Sequence, residues 1–114
     1  MIFIFILSPD SKTQGLGSTP MHAITRFNVP LGEAAHFQTL LATALDAFSK
    51  CPGFSDGHYG QNLDDPTLWS LVTQWENVGS YRRALSNNDV KMNAVPTLAR
   101  AIDEPGAYEL PYSE

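Results

Sequence analysis

The chain of 114 residues lacks the features that identify nucleic-acid-binding and disulfide-rich proteins. It contains no run of lysine or arginine, and the densest basic spot is the pair Arg82 and Arg83. Because binding to nucleic acid needs a basic face that neutralises phosphates, the net charge of −5 argues against this class of partner. The single cysteine, Cys51, cannot form a disulfide within the chain, which fits a reducing, cytoplasmic location.

Signatures of cofactor and metal sites are also missing. The sequence has no glycine-rich phosphate loop, no Walker pattern and no dinucleotide-binding fingerprint. Its three histidines have no close spacing, and Asp64 and Asp65 fall in a predicted turn, so no metal signature is present. We therefore expect neither a cofactor nor a bound metal ion.

The N-terminal segment differs in character from the remainder. Residues 1–7 form an apolar run that is too short to span a membrane and lacks the charged start of a signal peptide. Residues 8–20 have the composition of a linker. We predict a flexible extension over residues 1–20, a domain over residues 21–114, and no association with membranes. The alternative is an extra edge strand at residues 2–7.

The remaining sequence has the composition and patterning of a globular domain. Apolar residues make up 43 % of the chain and charged residues 17 %, which excludes a disordered protein. Alternating and helical periodicities predict a long helix from about residue 33 to residue 50, and helices at 78–85 and 90–102, the last kinked or restarted at Pro96. Strands are predicted at 21–29, 54–61, 67–75 and 107–112. The order βαββαβ predicts an α+β, ferredoxin-like fold with a four-stranded antiparallel sheet and helices on one face.

Both faces of the predicted third strand carry large apolar residues. One face contains Trp69, Leu71, Thr73 and Trp75, and the other contains Leu68, Ser70, Val72 and Gln74. The helices of this fold cover only one face, so the other would be an exposed apolar patch. We expect a second copy of the sheet to cover it in a homodimer. The alternative is a monomer whose aromatic residues line a groove.

Four short patterns together resemble the antibiotic biosynthesis monooxygenase family. They are Cys51-Pro52-Gly53-Phe54, the turn Asp64-Asp65-Pro66, the strand from Trp69 to Trp75, and the segment from Glu76 to Tyr81. The resemblance covers the chain from about Met21 to Tyr112. It implies a dimeric α+β barrel with a pocket in each subunit between the sheet and the helices. Some members oxygenate aromatic polyketides without metal or flavin, some degrade haem, and others have no established activity.

The haem-degrading branch fits this sequence poorly. Its helix tryptophan and histidine would fall on Ala84 and Ala94, and its first-strand asparagine would fall near Phe27. Asn28 lies one residue away, which would place it on the opposite face of the strand. His36 on the first predicted helix has the chemistry to ligate iron, but no surrounding pattern specifies it. Without the histidine ligand we do not expect haem degradation.

The polyketide-oxygenating branch fits better at its aromatic positions. The resemblance places the pocket tyrosines on Tyr59 and Tyr81 and the shared tryptophan on Trp75, which we take as the candidate catalytic residues. We expect Phe37, Leu41, Trp75 and Tyr81 to converge on one cavity for a flat apolar or aromatic ligand.

Two polar positions of that branch are replaced. Leu71 stands where the branch has an asparagine, and Val95 stands near the position of its helix arginine, with Arg100 the nearest arginine. Leu71, together with Phe37, Leu41 and His58, is a candidate substrate-binding residue. Cofactor-free oxygenation needs a base and donors that hold an oxyanion, and these replacements remove two donors.

The individual candidates also have structural interpretations. Trp75 and Tyr81 are typical of a core, Tyr59 of a dimer interface, and His58 has no visible partner that would make it a base. Cys51 follows a helix C-terminus, where the dipole raises the pKa of a thiol, so it is a poor nucleophile. Two functions stay open: a cofactor-independent monooxygenase for an aromatic or quinone-type molecule, and a non-catalytic ligand-binding or sensing dimer.

Overall fold

The computed structural model describes residues 19–111. Within them the chain forms four strands and four α-helices, with a 3₁₀ turn at Leu31–Glu33 before the first helix. The strands are β1 (Met21–Asn28), β2 (Phe54–Gln61), β3 (Leu68–Trp75) and β4 (Ala107–Glu109). The helices are α1 (Ala34–Ser49), α2 (Val78–Leu85), α3 (Asn88–Asn93) and α4 (Val95–Leu98).

The strands form one antiparallel sheet in the order β2-β3-β1-β4. In the central pair, Met21 lies opposite Trp75 and Phe27 lies opposite Trp69. The order βαββαβ and the antiparallel sheet confirm the predicted ferredoxin-like α+β fold. The pairing of two such sheets into a barrel stays a prediction.

The helices begin and end where local chemistry predicts. The α2 helix begins after Asn77, whose side chain accepts a hydrogen bond from the Ser80 N–H at 2.8 Å. The α3 helix is capped in the same way by Asn87. The predicted helix over 90–102 is divided at Ala94, whose φ of −121° interrupts the helix just before Pro96. Of the kink or restart expected at this proline, the structure has the restart, with one short helix ending at Asn93 and the next beginning at Val95.

Gly53 turns the chain from α1 into β2. Its φ of +86° lies in the left-handed region that favours glycine. A Cβ atom at this position would also lie 2.2 Å from the Ser80 hydroxyl oxygen at the start of α2. The same glycine accepts a hydrogen bond from the Glu76 N–H at 2.8 Å. The turn therefore fixes α2 against the end of the sheet.

The two faces of the sheet have different environments. The helices pack on one side, which we call the helix face, and bury Met21, Phe27, Trp69, Leu71 and Trp75. The opposite side, which we call the open face, has no helix of the described residues packed on it. This difference follows from the two-residue period of a strand, which sends neighbouring side chains to opposite faces.

Two expectations concern the parts of the chain next to the domain. The flexible extension predicted over residues 1–20 lies almost entirely outside the described residues, as does the alternative strand at 2–7. The last strand is shorter than the predicted 107–112, since β4 ends at Glu109 within the described range. Among residues 19–111, no helix has the length and apolar character needed to cross a membrane.

Candidate functional site

The layer between the helix face and the helices contains most of the aromatic residues of the domain. Strand β3 directs Trp69, Leu71, Thr73 and Trp75 into this layer, and all four are buried. The two tryptophans are six residues apart, which separates their backbones by about 20 Å along the strand. They therefore belong to opposite ends of the same layer, which we call the Trp69 end and the Trp75 end.

At the Trp75 end, the indole is enclosed by three aromatic rings. The ring centroids of Phe48, Phe54 and Tyr81 lie 5.8, 5.4 and 5.8 Å from that of Trp75. The first two meet the indole edge to face, a favourable geometry for aromatic pairs. The indole N–H donates to the Thr73 hydroxyl at 2.9 Å, so the polar group of this tryptophan is also satisfied.

Tyr81 carries the hydroxyl of this end. It lies on α2, whose position is fixed by the Asn77 cap and by the turn at Gly53. Burial raises the pKa of the Tyr81 hydroxyl above its ordinary value of 10. The group is therefore protonated at neutral pH and has the chemistry of a hydrogen-bond donor, not of a base.

The Trp69 end is built on a second aromatic contact. Phe27 of β1 and Phe37 of α1 meet edge to face with their ring centroids 5.0 Å apart. Trp69 lies directly opposite Phe27 in the sheet and is 6 % exposed. Its indole N–H is buried and has no hydrogen-bond partner within residues 19–111. It contrasts in this respect with the satisfied N–H of Trp75.

Tyr59 and Leu71 lie beside Trp69 in the sheet. Leu71 is Tyr59's partner on β3, and Tyr59 packs against the buried core. Tyr59 is thus the diagonal neighbour of Trp69 on the same face, a separation within reach of aromatic side chains. The Tyr59 hydroxyl makes no hydrogen bond to any group of the described residues, which leaves a second donor near the Trp69 end.

Arg100 borders this end of the layer. The carbon of its guanidinium lies 4.9 Å from the centroid of the Phe37 ring, a cation–π geometry. The same guanidinium donates to a Glu33 carboxylate oxygen at 3.1 Å. Arg100 follows Val95, near which the resemblance places a helix arginine, by five residues, and it reaches the aromatic layer from the chain after α4.

The structure divides the four residues that the sequence predicts around one cavity. Phe37 contacts Phe27 at the Trp69 end, whereas Trp75 and Tyr81 contact each other at the Trp75 end. Leu41 follows Phe37 by one helical turn and is fully buried. All four belong to one core cluster, and a single cavity bordered by them stays a prediction.

Tyr59 and His58 occupy opposite faces, as the strand period requires. His58 pairs with Val72 and is exposed on the open face, while Tyr59 pairs with Leu71 on the helix face. The structure therefore separates His58 from every other candidate site residue. A role for His58 in the aromatic layer would require β2 to shift its register by one residue.

The resemblance assigns the residues of haem degradation to Ala84, to Ala94 and to a position near Phe27. Ala84 and Ala94 are fully buried in the core, where they leave no imidazole to ligate iron. Phe27 faces the helices and Asn28 is exposed. Within residues 19–111, no three side chains of the histidine, cysteine, aspartate or glutamate type come together as a metal site.

Cys51 lies at the boundary of α1 and the Gly53 turn. Burial raises the pKa of its thiol, and the negative charge of Asp89 acts in the same direction. The thiol donates to the Ala47 carbonyl oxygen at 3.6 Å. Its low acidity and its burial argue against a nucleophilic role.

The open face carries a mixture of apolar and charged groups. Ile24, Leu68 and Val72 are half-buried there. Arg26 binds Glu104 through two hydrogen bonds of 2.7 Å, and this contact lowers the pKa of the Glu104 carboxyl. An open groove of about 450 Å³ runs beside this pair. It is lined by Ile24, Arg26, Glu104, Pro105 and Tyr108.

Comparison with known protein families gives a match over most of the domain. The model of the family described as antibiotic biosynthesis monooxygenase matches residues 20–92. This range includes β1 to β3, α1, α2 and most of α3, and therefore both ends of the aromatic layer. None of the curated proteins matches the chain.

Solved structures share the fold at low sequence identity. SnoaB, a cofactor-independent oxygenase from Streptomyces nogalater, is 22 % identical with a TM-score of 0.71, covering 83 % of this chain and 96 % of SnoaB. A Nitrosomonas europaea protein assigned to antibiotic biosynthesis monooxygenases is 18 % identical with a TM-score of 0.68, covering 87 % and 97 % of the two chains. A conserved Methanosarcina mazei protein is 18 % identical with a TM-score of 0.67, covering 82 % and 94 %.

Proposed function

The chain belongs to the antibiotic biosynthesis monooxygenase family, and on this premise we propose that it is a small cofactor-independent monooxygenase. Its substrate would be an aromatic or quinone-type molecule bound between the helix face and the helices. The observation that carries the proposal is the aromatic layer itself, which contains the Tyr81 hydroxyl at the Trp75 end and the Tyr59 hydroxyl and Trp69 N–H at the Trp69 end. The similarity to SnoaB supports the choice of a reaction without cofactor.

The composition of the layer suits a flat, apolar substrate. Phe27, Phe37, Trp69 and Trp75 offer ring surfaces, and a few donors among apolar residues are the usual way in which such a site orients its ligand. Exclusion of water from this layer would strengthen any hydrogen bond to a developing negative charge. The donors, as neutral groups, fit an oxyanion that forms during the reaction.

The reaction that this arrangement supports is the oxidation of a phenol to a quinone by molecular oxygen. Taking 1-naphthol as an example, the deprotonated ring adds O₂ at the carbon opposite its oxygen, and the resulting hydroperoxide loses water. One oxygen atom becomes the new carbonyl, and the other leaves as water with two substrate hydrogens. The described part of the layer contains no carboxylate or imidazole, so we propose that the substrate supplies its own anion.

The test is an aerobic incubation with a panel of hydroxylated aromatics that includes 1-naphthol, followed by mass spectrometry. The proposal predicts incorporation of one ¹⁸O atom from ¹⁸O₂ into the product and no turnover under anaerobic conditions. The rate should rise with pH as a larger fraction of the substrate becomes deprotonated. Failure of every member of the panel to gain oxygen above the protein-free rate would contradict the proposal.

Tyr81→Phe tests the donor role within the same assay. We expect slower turnover, on the order of tenfold or more, with an unchanged fold, because only the hydroxyl is lost. Tyr108→Phe is the matched control, since Tyr108 is exposed on β4 and, among the described residues, its hydroxyl donates only to the Pro105 carbonyl, at 3.4 Å. Equal rates for the two variants would remove Tyr81 from the reaction.

A second function is a ligand-binding or sensing role without catalysis. The absence of a base among the described residues of the layer favours this alternative. A binder would take up the same aromatic compounds, and Tyr81→Phe would change affinity by a factor of a few with no turnover to lose. Saturable binding without oxygen incorporation would select this function over the first.

The open face supports a homodimer as the working unit. Ile24, Leu68 and Val72 place half-buried apolar surface on the side of the sheet that the helices leave free. A second copy related by a two-fold axis would cover it. Light scattering at micromolar concentration should give about twice the chain mass of 12.5 kDa. A mass equal to one chain would contradict the dimer.

A further inference from the structure

The Trp69 indole presents an unusual polar atom in the interior. Its Nε1–H is buried without a partner among residues 19–111, and it is the buried side-chain donor that the described core leaves unsatisfied. A buried N–H that lacks an acceptor destabilises the folded state, so most proteins pair such groups or replace them with apolar ones. A phenylalanine at this position would keep much of the ring contact without that cost.

Aromatic residues surround Trp69 in the sheet and in the layer above it. Phe27 lies directly opposite in the sheet, and its ring packs against Phe37. Tyr59 is the diagonal neighbour on the other side and contributes a second hydroxyl. Arg100 stacks on Phe37 and pairs with the Glu33 carboxylate, so an ion pair borders this end of the layer.

We propose that Trp69 is the residue that orients the ligand, by donating its Nε1–H to a carbonyl or phenolate oxygen of an aromatic molecule bound at the Trp69 end. This inference rests on the proposed function, from which the aromatic ligand is taken. It adds the identity of the donor that binds the ligand oxygen and so orients the ring. Tyr59 is the second donor to the same ligand. The bound ligand then supplies the acceptor that the unliganded core lacks.

Trp75 serves as an internal control, because it is a buried tryptophan without the proposed ligand-binding role. It lies on the same strand and the same face, but its N–H already donates to Thr73. A ligand oxygen would have to displace that contact to bind Trp75. We therefore expect a ligand oxygen to bind the N–H of Trp69 and not the N–H of Trp75.

The test follows both indole N–H signals by ¹⁵N nuclear magnetic resonance during titration with anthraquinone-2-sulfonate. Anthracene-2-sulfonate is the control ligand, because it has the same rings and sulfonate but no carbonyl oxygen. The signal of Trp69, assigned from its loss in Trp69→Phe, should move downfield with the quinone and not with the anthracene. The Trp75 signal should change much less with either compound.

Affinity provides the second readout. Trp69→Phe should weaken quinone binding about five- to tenfold, the usual contribution of one buried hydrogen bond, and should leave anthracene binding within a factor of two. Trp75→Phe should show no such difference between the ligands. Quinone binding that leaves the Trp69 signal unmoved, or no binding of either compound at millimolar concentration, would overturn the inference. Neither result would decide whether the protein is an oxygenase, because the incorporation of ¹⁸O from ¹⁸O₂ tests that proposal separately.

Discussion

The two ends of the aromatic layer use the same residue type in different ways. Trp75 is 1 % exposed, has three aromatic neighbours and donates its N–H to Thr73. Trp69 is 6 % exposed and leaves its N–H without a partner among the described residues. Burial alone does not separate the two side chains, whereas hydrogen-bond satisfaction does.

The difference concerns the two indole N–H groups: that of Trp75 is already paired within the protein, and that of Trp69 is available to a ligand. At the Trp75 end, the turn at Gly53, the Asn77 cap and the ring cluster connect α1, β2, β3 and α2. Fully satisfied polar groups in a well-packed cluster stabilise one conformation. The Trp69 end has fewer contacts between rings, and the Trp69 N–H is unpaired among the described residues. This arrangement is expected where a bound ligand supplies the missing hydrogen-bond acceptor.

The largest expected effect is at Gly53, which supports the Trp75 end. Gly53→Ala should lower the free energy of unfolding by about 2–4 kcal/mol, because the left-handed backbone is strained for alanine and the Cβ atom overlaps the Ser80 hydroxyl. Gly60→Ala is the control, since no atom lies within 4 Å of a Cβ there. Urea denaturation measures both. Similar losses for the two variants would show that the turn does not fix this end.

Replacing each tryptophan by phenylalanine compares how much the two side chains contribute to stability. Trp75→Phe should lower the free energy of unfolding by about 1–2 kcal/mol. It leaves a cavity, and the buried Thr73 hydroxyl loses the N–H that donates to it. Trp69→Phe should cost clearly less, since the lost ring volume is offset by removal of an unpaired buried donor. Urea denaturation of both variants provides the values. A larger loss for Trp69→Phe would mean that its N–H is satisfied in solution.

The smallest effect concerns the open face, outside the layer, and serves as a reference for both ends. The Arg26 hydrogen bonds lower the pKa of Glu104 below its ordinary value of 4.5, so the pair stabilises the fold above that pH. This contribution is lost as the pH falls through the lowered pKa. The difference in melting temperature between the wild type and Glu104→Gln should be small near pH 6 and should shrink progressively as the pH is lowered below 4.5. A difference that grows on acidification would contradict this assignment.

Several features of the site were predictable because they depend on local patterns. The alternation along β3 places Trp69, Leu71, Thr73 and Trp75 on one face, and the structure confirms that shared face. The Asn77 cap and the break before Pro96 also follow from neighbouring residues. The functional roles of Tyr59, Trp75 and Tyr81 stay predictions.

Other features escaped prediction because they depend on residues far apart in the chain. The contact of Phe37 with Phe27 is one example, since four-residue spacing on a helix does not tell which end of a strand the helix turn contacts. The position of Arg100 over Phe37 depends on how the chain after α4 returns to the start of α1. No motif marks this arginine.

The sequence by itself determined the order of the elements and the face on which each strand residue lies. These properties arise from capping, turn chemistry and the periods of 2 and 3.6 residues, all of which act over a few neighbours. Only the tertiary structure decided which indole is satisfied, where Arg100 contacts the layer, and that Arg26 binds Glu104, 78 residues away. Such pairings require the chain to be packed, because each depends on the relative position of separate elements in space.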